Sequence, residues 1–370
     1  MSDIIQNLLE KMGEIHDMAL HFLESQTNVD DNFQNLIKIL RDLKISDNKH
    51  EFKLFLRSIL KISNNYNRKS KCISKINLIL KSFEKEIKSY YSNSEIFDIF
   101  KSNKLILLFL FKEKILIIDQ YIIKTFIKKK YDELKYPQYF SPEIRLFRNE
   151  PWFPEKKPIG NPSWLYEIDK ELPQDFEEKR ERGENDSYIC QLIRDDSLDE
   201  FISFINHNEI SLKTKIEQSV FETNNFLIKK GKCSLINYSA FHGSIRIFKY
   251  LILNQVQLEP SIWPYAIHSN NSEIIHLLEE KNISFESKIN CYEEAIKCHH
   301  NDVANYIMNN YISRSLDNSS FLLKCFNFNF ITDKNINENL FFELCKYDYY
   351  TFVKYFVENG NIDYNQVYVH

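Results

Sequence analysis

The chain has 370 residues and a formal net charge of −4 at pH 7. Its content of 27% charged and 43% hydrophobic residues excludes wholesale disorder and leaves room for two domains, or for one domain and a repeat array. Residues 1–140 hold 24 basic against 18 acidic residues, and the remainder carries a net charge of −10, so neither part is basic enough for a nucleic-acid-binding surface.

The seven cysteines are odd in number, widely separated and without a CxxC pair. This spacing argues against a disulfide framework and favours a reducing compartment, so we expect a cytoplasmic location. The opening MSDIIQNLLEKMGEIH has acidic groups and helical spacing where a secretory signal needs a basic start and an apolar run. The apolar run at 105–111 is too short for a membrane span, which needs about 20 residues, and is predicted to be core.

The first 136 residues contain no proline and a single glycine, Gly13. Apolar residues recur at steps of three and four, which is typical of amphipathic helices, and polar breaks separate the stripes. The stripes cover residues 5–22, 33–40, 52–60, 72–90 and 115–126. They predict a bundle of five or six helices. A coiled-coil dimer through the first helix is the less favoured alternative, because the heptad pattern does not continue into the second stripe.

Residues 137–173 hold seven of the nine prolines and two of the three tryptophans. Prolines at this density exclude a continuous helix or a central strand. The tryptophans, Trp152 and Trp164, predict an ordered connector that aromatic side chains hold in place. A short charged helix is predicted to follow at 175–186.

Four segments of the second half share one pattern: SAFHGSIRIFKYLILN from 239, AIHSNNSEIIHLLEEK from 266, AIKCHHNDVANYIMNN from 295 and LCKYDYYTFVKYFVEN from 344. Each has small or apolar residues, two variable residues, a turn residue and then two apolar pairs. The turn residues are Gly243, Asn270, His299 and Asp348; Asn and Asp tolerate left-handed backbone and can stand in for glycine at modest cost, and His is an allowed but less comfortable choice. A weaker copy covers 187–205, and FLLKCFNFNFITD at 321–333 is predicted to be the first helix of a unit that lost its second.

This pattern resembles the ankyrin repeat, with its TPLHxAAxxGHxxVVxxLL core. More closely, phrases such as RGENDSYICQLIRDDS, YSAFHGSIRIFKYLILN and EEAIKCHHNDVANYI resemble a divergent ankyrin-like domain of unknown function that is expanded in parasitic protists. The resemblance implies a helical N-terminal region before the repeats and an interaction role, and it assigns no catalytic residues. The expected protein is therefore all-α, with a helical bundle at 1–140, a connector with a charged helix at 141–186, and a short irregular ankyrin-like helical solenoid at 187–370.

A solenoid presents the two variable residues of each unit on one concave face, which suits recognition of a protein partner. In this chain the predicted partner-binding residues are Phe241, His242, His268, Ser269, Lys297, Cys298, Lys346 and Tyr347. The last helix pair is further predicted to leave an apolar edge exposed at Phe352, Tyr355 and Phe356, available for self-association or for a partner.

Motifs for catalysis or cofactor binding are missing from the sequence: with six glycines there is no phosphate-binding loop, and GxSxG and HExxH are absent. The segment CYEEAIKCHHND gathers Cys291, Cys298, His299 and His300, but it lacks the close Cys pairing typical of zinc, and turn hydrogen bonds are favoured over a metal site. His242, His268 and His276 also recur, without a repeating nucleophile or acid that would make a catalytic relay. We therefore expect no metal and no cofactor.

Two alternatives remain open for the function. One is an enzyme or small-anion binder with a site between the bundle and the connector, where Arg145 and Arg148 accompany Trp152 and Trp164; stacking of arginine on tryptophan to hold the connector is the favoured explanation of those residues. The other is a substrate-recruiting arm of a ligase or trafficking complex. The sequence favours a non-enzymatic interaction module over the enzyme, and the recruiting arm is a choice of partner for such a module.

Overall fold

The computed structural model describes residues 2–65, 72–154, 164–312, 318–331 and 338–358. These residues are mostly helical, and their two strands, β1 (Lys215–Ile216) and β2 (Cys233–Ser234), form one short antiparallel pair. The predicted all-α class is confirmed. None of the helices in the described ranges combines the length and apolarity that a membrane crossing requires.

The helices before the repeats are α1 (Ser2–Glu24), α2 (Val29–Asp42), α3 (Lys49–Asn65), α4 (Cys72–Ser82), α5 (Glu84–Tyr90), α6 (Asn93–Phe100), α7 (Lys104–Lys112), α8 (Gln120–Phe126), α9 (Lys129–Glu133), α10 (Tyr136–Tyr139), α11 (Ser141–Arg145), α12 (Trp164–Glu167) and α13 (Phe176–Arg182). The repeat region contains α14 (Tyr188–Arg194), α15 (Leu198–His207), α16 (Asn225–Lys230), α17 (Leu235–His242), α18 (Ile245–Leu253), α19 (Trp263–Ser269), α20 (Ser272–Glu280), α21 (Lys288–Lys297), α22 (Asn301–Tyr311), α23 (Ser319–Cys325), α24 (Glu338–Lys346) and α25 (Tyr350–Glu358), with short 3-10 helices at Pro260–Ile262 and Phe328–Phe330.

The chain folds into two compact units. The first unit consists of residues 1–86 and 266–370, and the second consists of residues 87–265. This division follows packing rather than sequence order, since the two ends of the chain belong to one unit. The predicted boundaries at 140 and 186 came from proline content and charge, which mark changes of local structure but carry no information on which segments share a core.

The N-terminal region has more and shorter helices than the sequence predicted. Nine helices begin before residue 134 in the part of the chain that the structure describes, so the expected count of five or six is wrong. Polar side chains start several of them without any glycine or proline: Asn103 and Asp119 each cap a helix, and Ser92 forms a capping box with Glu95. The apolar run at 105–111 lies in α7 and supplies core residues, as predicted.

Five helix pairs follow the predicted pattern of first helix, turn and second helix: α14 with α15, α17 with α18, α19 with α20, α21 with α22, and α24 with α25. Each turn contains a residue in left-handed backbone, and these are Asp196, Gly243, Asn270, His299 and Asp348, with φ between 49° and 71°. Phe326 is left-handed after α23, and within the described residues up to Ile331 it is followed by the 3-10 helix Phe328–Phe330. Residues 332–337, where the predicted unit would continue, lie outside the described residues.

A recurring hydrogen bond links consecutive helix pairs. The residue after the left-handed turn residue donates its side chain to the carbonyl oxygen three residues before the preceding turn residue. This bond joins Ser244 to Ile193 (2.5 Å), Asn327 to Ile296 (3.0 Å) and Tyr349 to Leu323 (2.7 Å), while His300 contacts the carbonyl of His268 (3.4 Å). First helices pack side by side at these links, α14 on α17 in the second unit, and α21 on α23 and α23 on α24 in the first.

The turn geometry yields a prediction for Asn270, an exposed residue with φ 51°. A β-branched side chain in left-handed backbone costs about 1–2 kcal/mol, whereas glycine adopts it freely. Asn270→Val is expected to lower the free energy of unfolding by that amount, and Asn270→Gly to leave it within about 0.5 kcal/mol. Urea denaturation followed by circular dichroism measures both, and equal stability of the two variants would contradict the assigned turn.

Candidate functional site

The eight predicted partner-binding residues lie at the ends of first helices, but half of them are buried. Phe241 and His242 belong to the second unit, and the other six belong to the first. All eight side chains were expected to be exposed. This expectation is wrong for four of them, which are buried: Phe241, His268, Ser269 and Cys298. His242, Lys297 and Tyr347 are half-buried, and Lys346 is exposed.

Local packing explains the burial of these variable positions. The Phe241 ring stacks on Phe226 at 5.7 Å, and the Ser269 hydroxyl donates to the carbonyl of Ala266 at 2.7 Å. His242 lies against Tyr238 with 4.4 Å between ring centroids. The ankyrin comparison places such positions in solvent, whereas here neighbouring side chains cover them.

In the first unit, N-terminal helices also pack against the repeat turns. His16 of α1 is hydrogen-bonded through Nε2 to Nδ1 of His299 at 3.0 Å. From α3, Lys53 donates to the Asp348 carboxylate at 3.0 Å, and Arg57 donates to the carbonyl of Tyr347 at 2.9 Å. Helices α1 and α3 therefore contact the turns at His299 and Asp348.

The predicted apolar edge of the last helix pair is not exposed. Phe352 is 3% and Phe356 is 6% exposed, and Phe356 packs on Phe341 with 5.6 Å between ring centroids. Helix α3 packs against α25, where Thr351 donates to Glu51 at 2.8 Å. The expectation of an open edge is thus wrong for both phenylalanines, and the side chain of Tyr355 lies outside the described residues.

A polar cluster connects α19 to the end of α21. His268 donates through Nε2 to Oε1 of Glu294 at 2.6 Å, because a carboxylate only accepts hydrogen bonds. Lys297 donates to the same oxygen at 2.5 Å, and Cys298 Sγ lies 3.4 Å from His268 Nδ1. Glu294, Lys297 and Cys298 are three and four residues apart, which places them on one side of the helix end. We call these four residues the His268 cluster.

Charge is balanced within the His268 cluster. Burial alone would raise the pKa of the Glu294 carboxyl, but hydrogen bonds and positive charge from His268 and Lys297 outweigh it and lower that pKa to about 2. Burial raises the pKa of the Cys298 thiol well above its usual value. At neutral pH the cluster therefore holds an ionised carboxylate and a protonated thiol.

The order thiol, imidazole, carboxylate is the order used in nucleophilic catalysis by cysteine. Cys298, however, has no exposed surface, and reactive cysteines have lowered pKa values and partial exposure. The cluster therefore lacks the accessible thiolate that attack on a substrate requires. Its nitrogen, oxygen and sulfur atoms are also the donor types that bind transition metals.

The structure regroups the cysteine and histidine residues that the sequence singled out. Of the segment Cys291 to His300, Cys298 joins His268, while His299 pairs with His16 and His300 contacts the backbone of His268. Glu294 was missed, because the sequence search considered cysteine and histidine only. The sequence signal for Glu294 was its spacing of four residues from Cys298, which places both side chains on one side of a helix. His276 is exposed and bonded to Glu279 at 3.0 Å.

The arginines of the alternative anion site hold the connector in place. Arg145 donates to the carbonyl oxygens of Ile168 and Lys170, and Arg148 forms an ion pair with Asp169 at 3.4 Å. Both guanidinium groups thus already have acceptors from the protein, which reduces what they can offer a ligand.

The two connector tryptophans differ in their surroundings. Trp164 is buried and meets Phe153 edge to face at 6.3 Å. Trp152 is half-buried and lies under the ammonium group of Lys124 at 5.3 Å. The predicted aromatic anchoring of this segment is confirmed for these residues, whereas Pro158 and Pro162 lie outside the described residues.

The second unit contains a small cavity of about 20 Å³, lined in part by Lys104, Glu222 and Tyr238. Lys104 is buried, donates to the carbonyl of Glu222 at 3.3 Å and lies over the rings of Tyr136 and Tyr139. Burial lowers the pKa of its ammonium group to about 7. Because the protein already supplies partners for this nitrogen, the cavity is a weaker candidate than the His268 cluster.

Comparison with protein-family models, curated proteins and solved structures gives no match. The function is therefore argued from the contacts and charges of this chain.

The His16 and His299 contact yields a pH prediction. Burial lowers the pKa of His16 to about 4, and burial together with the nearby charges of Lys61 and His300 lowers that of His299 well below its usual value. Because the folded pKa of His16 lies below its unfolded value of about 6.5, its contribution to stability is complete above pH 6.5 and is lost as the pH falls towards 4.

The free energy of unfolding of the wild-type chain is expected to fall between pH 6.5 and 4.5. In His16→Phe this fall is expected to be smaller by about 1 kcal/mol per pH unit. His21→Phe is the matched control, because His21 lies exposed on the same helix and should keep the wild-type slope. Urea denaturation at several pH values measures the slopes. Identical slopes for all three proteins would contradict a buried, neutral His16.

Proposed function

We propose that the chain is a non-enzymatic protein–protein interaction module, an ankyrin-like scaffold or adaptor of the cytoplasm. Its support is the repetition of helix pairs with a common turn and a common hydrogen bond to the preceding pair. Stacks of this kind hold equivalent side chains in rows, and such rows recognise extended partner surfaces. The closed His268 cluster, with its buried thiol, favours this proposal over an enzyme.

The observation that carries the proposal is a row of lysines in the first unit. Lys297, Lys324 and Lys346 each lie two residues before the left-handed turn residue of their unit. Their helices, α21, α23 and α24, pack side by side in that order. We call these three residues the lysine row. Lys324 was missed by the sequence analysis, because the truncated unit was left out of the aligned repeats.

Exposure and charge make the lysine row suitable for an acidic partner. Lys324 and Lys346 are exposed, and Lys297 is partly exposed. Lys297 and Lys346 are each bonded to the glutamate three residues earlier, which fixes their direction. Burial raises the pKa of Cys325 to about 11, although the charges of Lys61, Lys297 and Lys324 act to lower it. Lys61, Lys297 and Lys324 therefore all place positive charge near Cys325.

Two of the predicted partner-binding residues, Lys297 and Lys346, belong to the row, and half-buried Tyr347 follows the second. We infer that an acidic segment of the partner binds along the row, with Tyr347 as an aromatic contact at one end. Charged groups at the rim of an interface mainly set association rate and salt dependence. The complex is therefore expected to weaken as salt is added.

The test is affinity capture from the native lysate with Lys324→Glu combined with Lys346→Glu. The control combines Lys281→Glu with Lys354→Glu, which makes the same charge change at two exposed lysines of the same unit. Recovery of the retained proteins is expected to fall about tenfold or more with the row variant, since about 1.4 kcal/mol suffices, and to stay near wild type with the control. Quantitative mass spectrometry measures recovery.

Equal recovery from all three proteins would overturn the lysine row as the binding site. An equal loss from the row variant and the control would show that net charge alone governs retention. Circular dichroism melting curves of both variants confirm that each remains folded, since surface substitutions of this kind change stability by about 0.5 kcal/mol or less.

A further inference from the structure

We propose that His268, Glu294 and Cys298 form a binding site for one transition metal ion of the Zn²⁺ class, which joins α19 to α21. One donor atom from each residue lies within 4.8 Å of the other two. Imidazole nitrogen, carboxylate oxygen and thiolate sulfur are the ligands that zinc accepts, and three protein ligands leave a fourth position for water. This inference goes beyond the interaction function and shares only Lys297 with the lysine row.

The three donor groups are close enough for one ion after side-chain adjustment. With ligand bonds of about 2.0–2.3 Å, donor atoms around a tetrahedral ion lie roughly 3.3–3.8 Å apart. His268 Nε2 lies 2.6 Å from Glu294 Oε1, whereas Cys298 Sγ lies 3.4 Å from Nδ1 and 3.7 Å from Nε2. An ion bound at Nε2 therefore requires the carboxylate to move outward by about 1 Å and the thiol to rotate from the Nδ1 side of the ring towards the ion.

Burial fits a closed metal site. His268 and Cys298 are almost completely buried, and Glu294 is 17% exposed, so the carboxylate marks the route by which an ion enters. Two of the ligands are on α21 and the third is on α19, so a bound ion would connect two helix pairs. Without an ion the thiol donates to Nδ1 at 3.4 Å and Nε2 donates to the carboxylate, so the same three side chains form a hydrogen-bonded chain that a metal ion would replace.

Binding has a defined proton balance. The Cys298 thiol gives its proton to solvent, and the thiolate and the Glu294 carboxylate together neutralise a divalent ion. Nε2 gives up the hydrogen that it donates to Glu294, and the bound imidazole is neutral, with one hydrogen on Nδ1 and the lone pair of Nε2 towards the ion. Lys297 competes for the same carboxylate oxygen, so its removal is expected to strengthen metal binding.

The experiment uses the full chain after treatment with a chelator and removal of both chelator and metal. Titration with Co²⁺ is expected to produce the thiolate-to-cobalt charge-transfer absorption with one ion per chain, and competition with a chromophoric chelator gives the Zn²⁺ affinity. Cys298→Ser and His268→Gln are each expected to lower the affinity about 100-fold. Cys291→Ser, on the same helix, and Cys345→Ser, at an exposed position, are expected to stay within about threefold.

Lys297→Met keeps all three ligands and is expected to bind Zn²⁺ about tenfold more tightly than wild type, because one positive charge has left the site. This variant serves as the test even if a ligand substitution prevents folding. The absence of stoichiometric Co²⁺ absorption in both wild type and Lys297→Met would overturn the proposal. Absorption that persists unchanged in folded Cys298→Ser would also overturn it.

Discussion

The repeat region depends on an arrangement that recurs at the ends of α17, α23 and α24: a residue in left-handed backbone, followed by a side chain that donates to the preceding unit. The last carbonyl groups of a helix have no partner within that helix. In this chain the carbonyls of Ile193, Ile296 and Leu323 each accept from the N–H of their own left-handed turn residue. The next helix pair adds a second, side-chain donor to each of them, from Ser244, Asn327 and Tyr349, which ties these helix ends to their neighbours.

The same arrangement determines which side chains lie next to one another. Residues just before the turn of one helix pair lie beside the equivalent residues of the next pair, and their types decide whether they form an exposed row or a buried cluster. Lysines at 297, 324 and 346 give the lysine row, whereas the histidine of α19 and the cysteine that ends α21 meet inside the first unit. Exposed lysines and a buried group of metal-ligand type thus both lie near the ends of first helices in the first unit.

Much of the repeat region could be predicted from the sequence, because its signals are local. The apolar spacing and the turn residues Gly243, Asn270, His299 and Asp348 identified four helix pairs and the left-handed backbone within each. Burial of the variable positions could not be predicted in this way. It depends on which segment packs against them, and contacts such as that of Arg57 with Tyr347 join residues far apart in the chain. Glu294 illustrates the same limit, since its partner His268 precedes it by 26 residues.

Helix α3 packs against the turn of the last helix pair, and this contact brings N-terminal residues and repeats into one unit. Zero-length carbodiimide cross-linking of the wild-type chain measures it. Lys53 and Asp348 form an accessible ion pair at 3.0 Å, with side chains 40% and 46% exposed. The account predicts an amide cross-link between these two residues within one chain, found by mass spectrometry at a yield similar to that of Lys112 with Glu181, an exposed ion pair of the second unit. Formation of the Lys112 link without the Lys53 link would contradict the account.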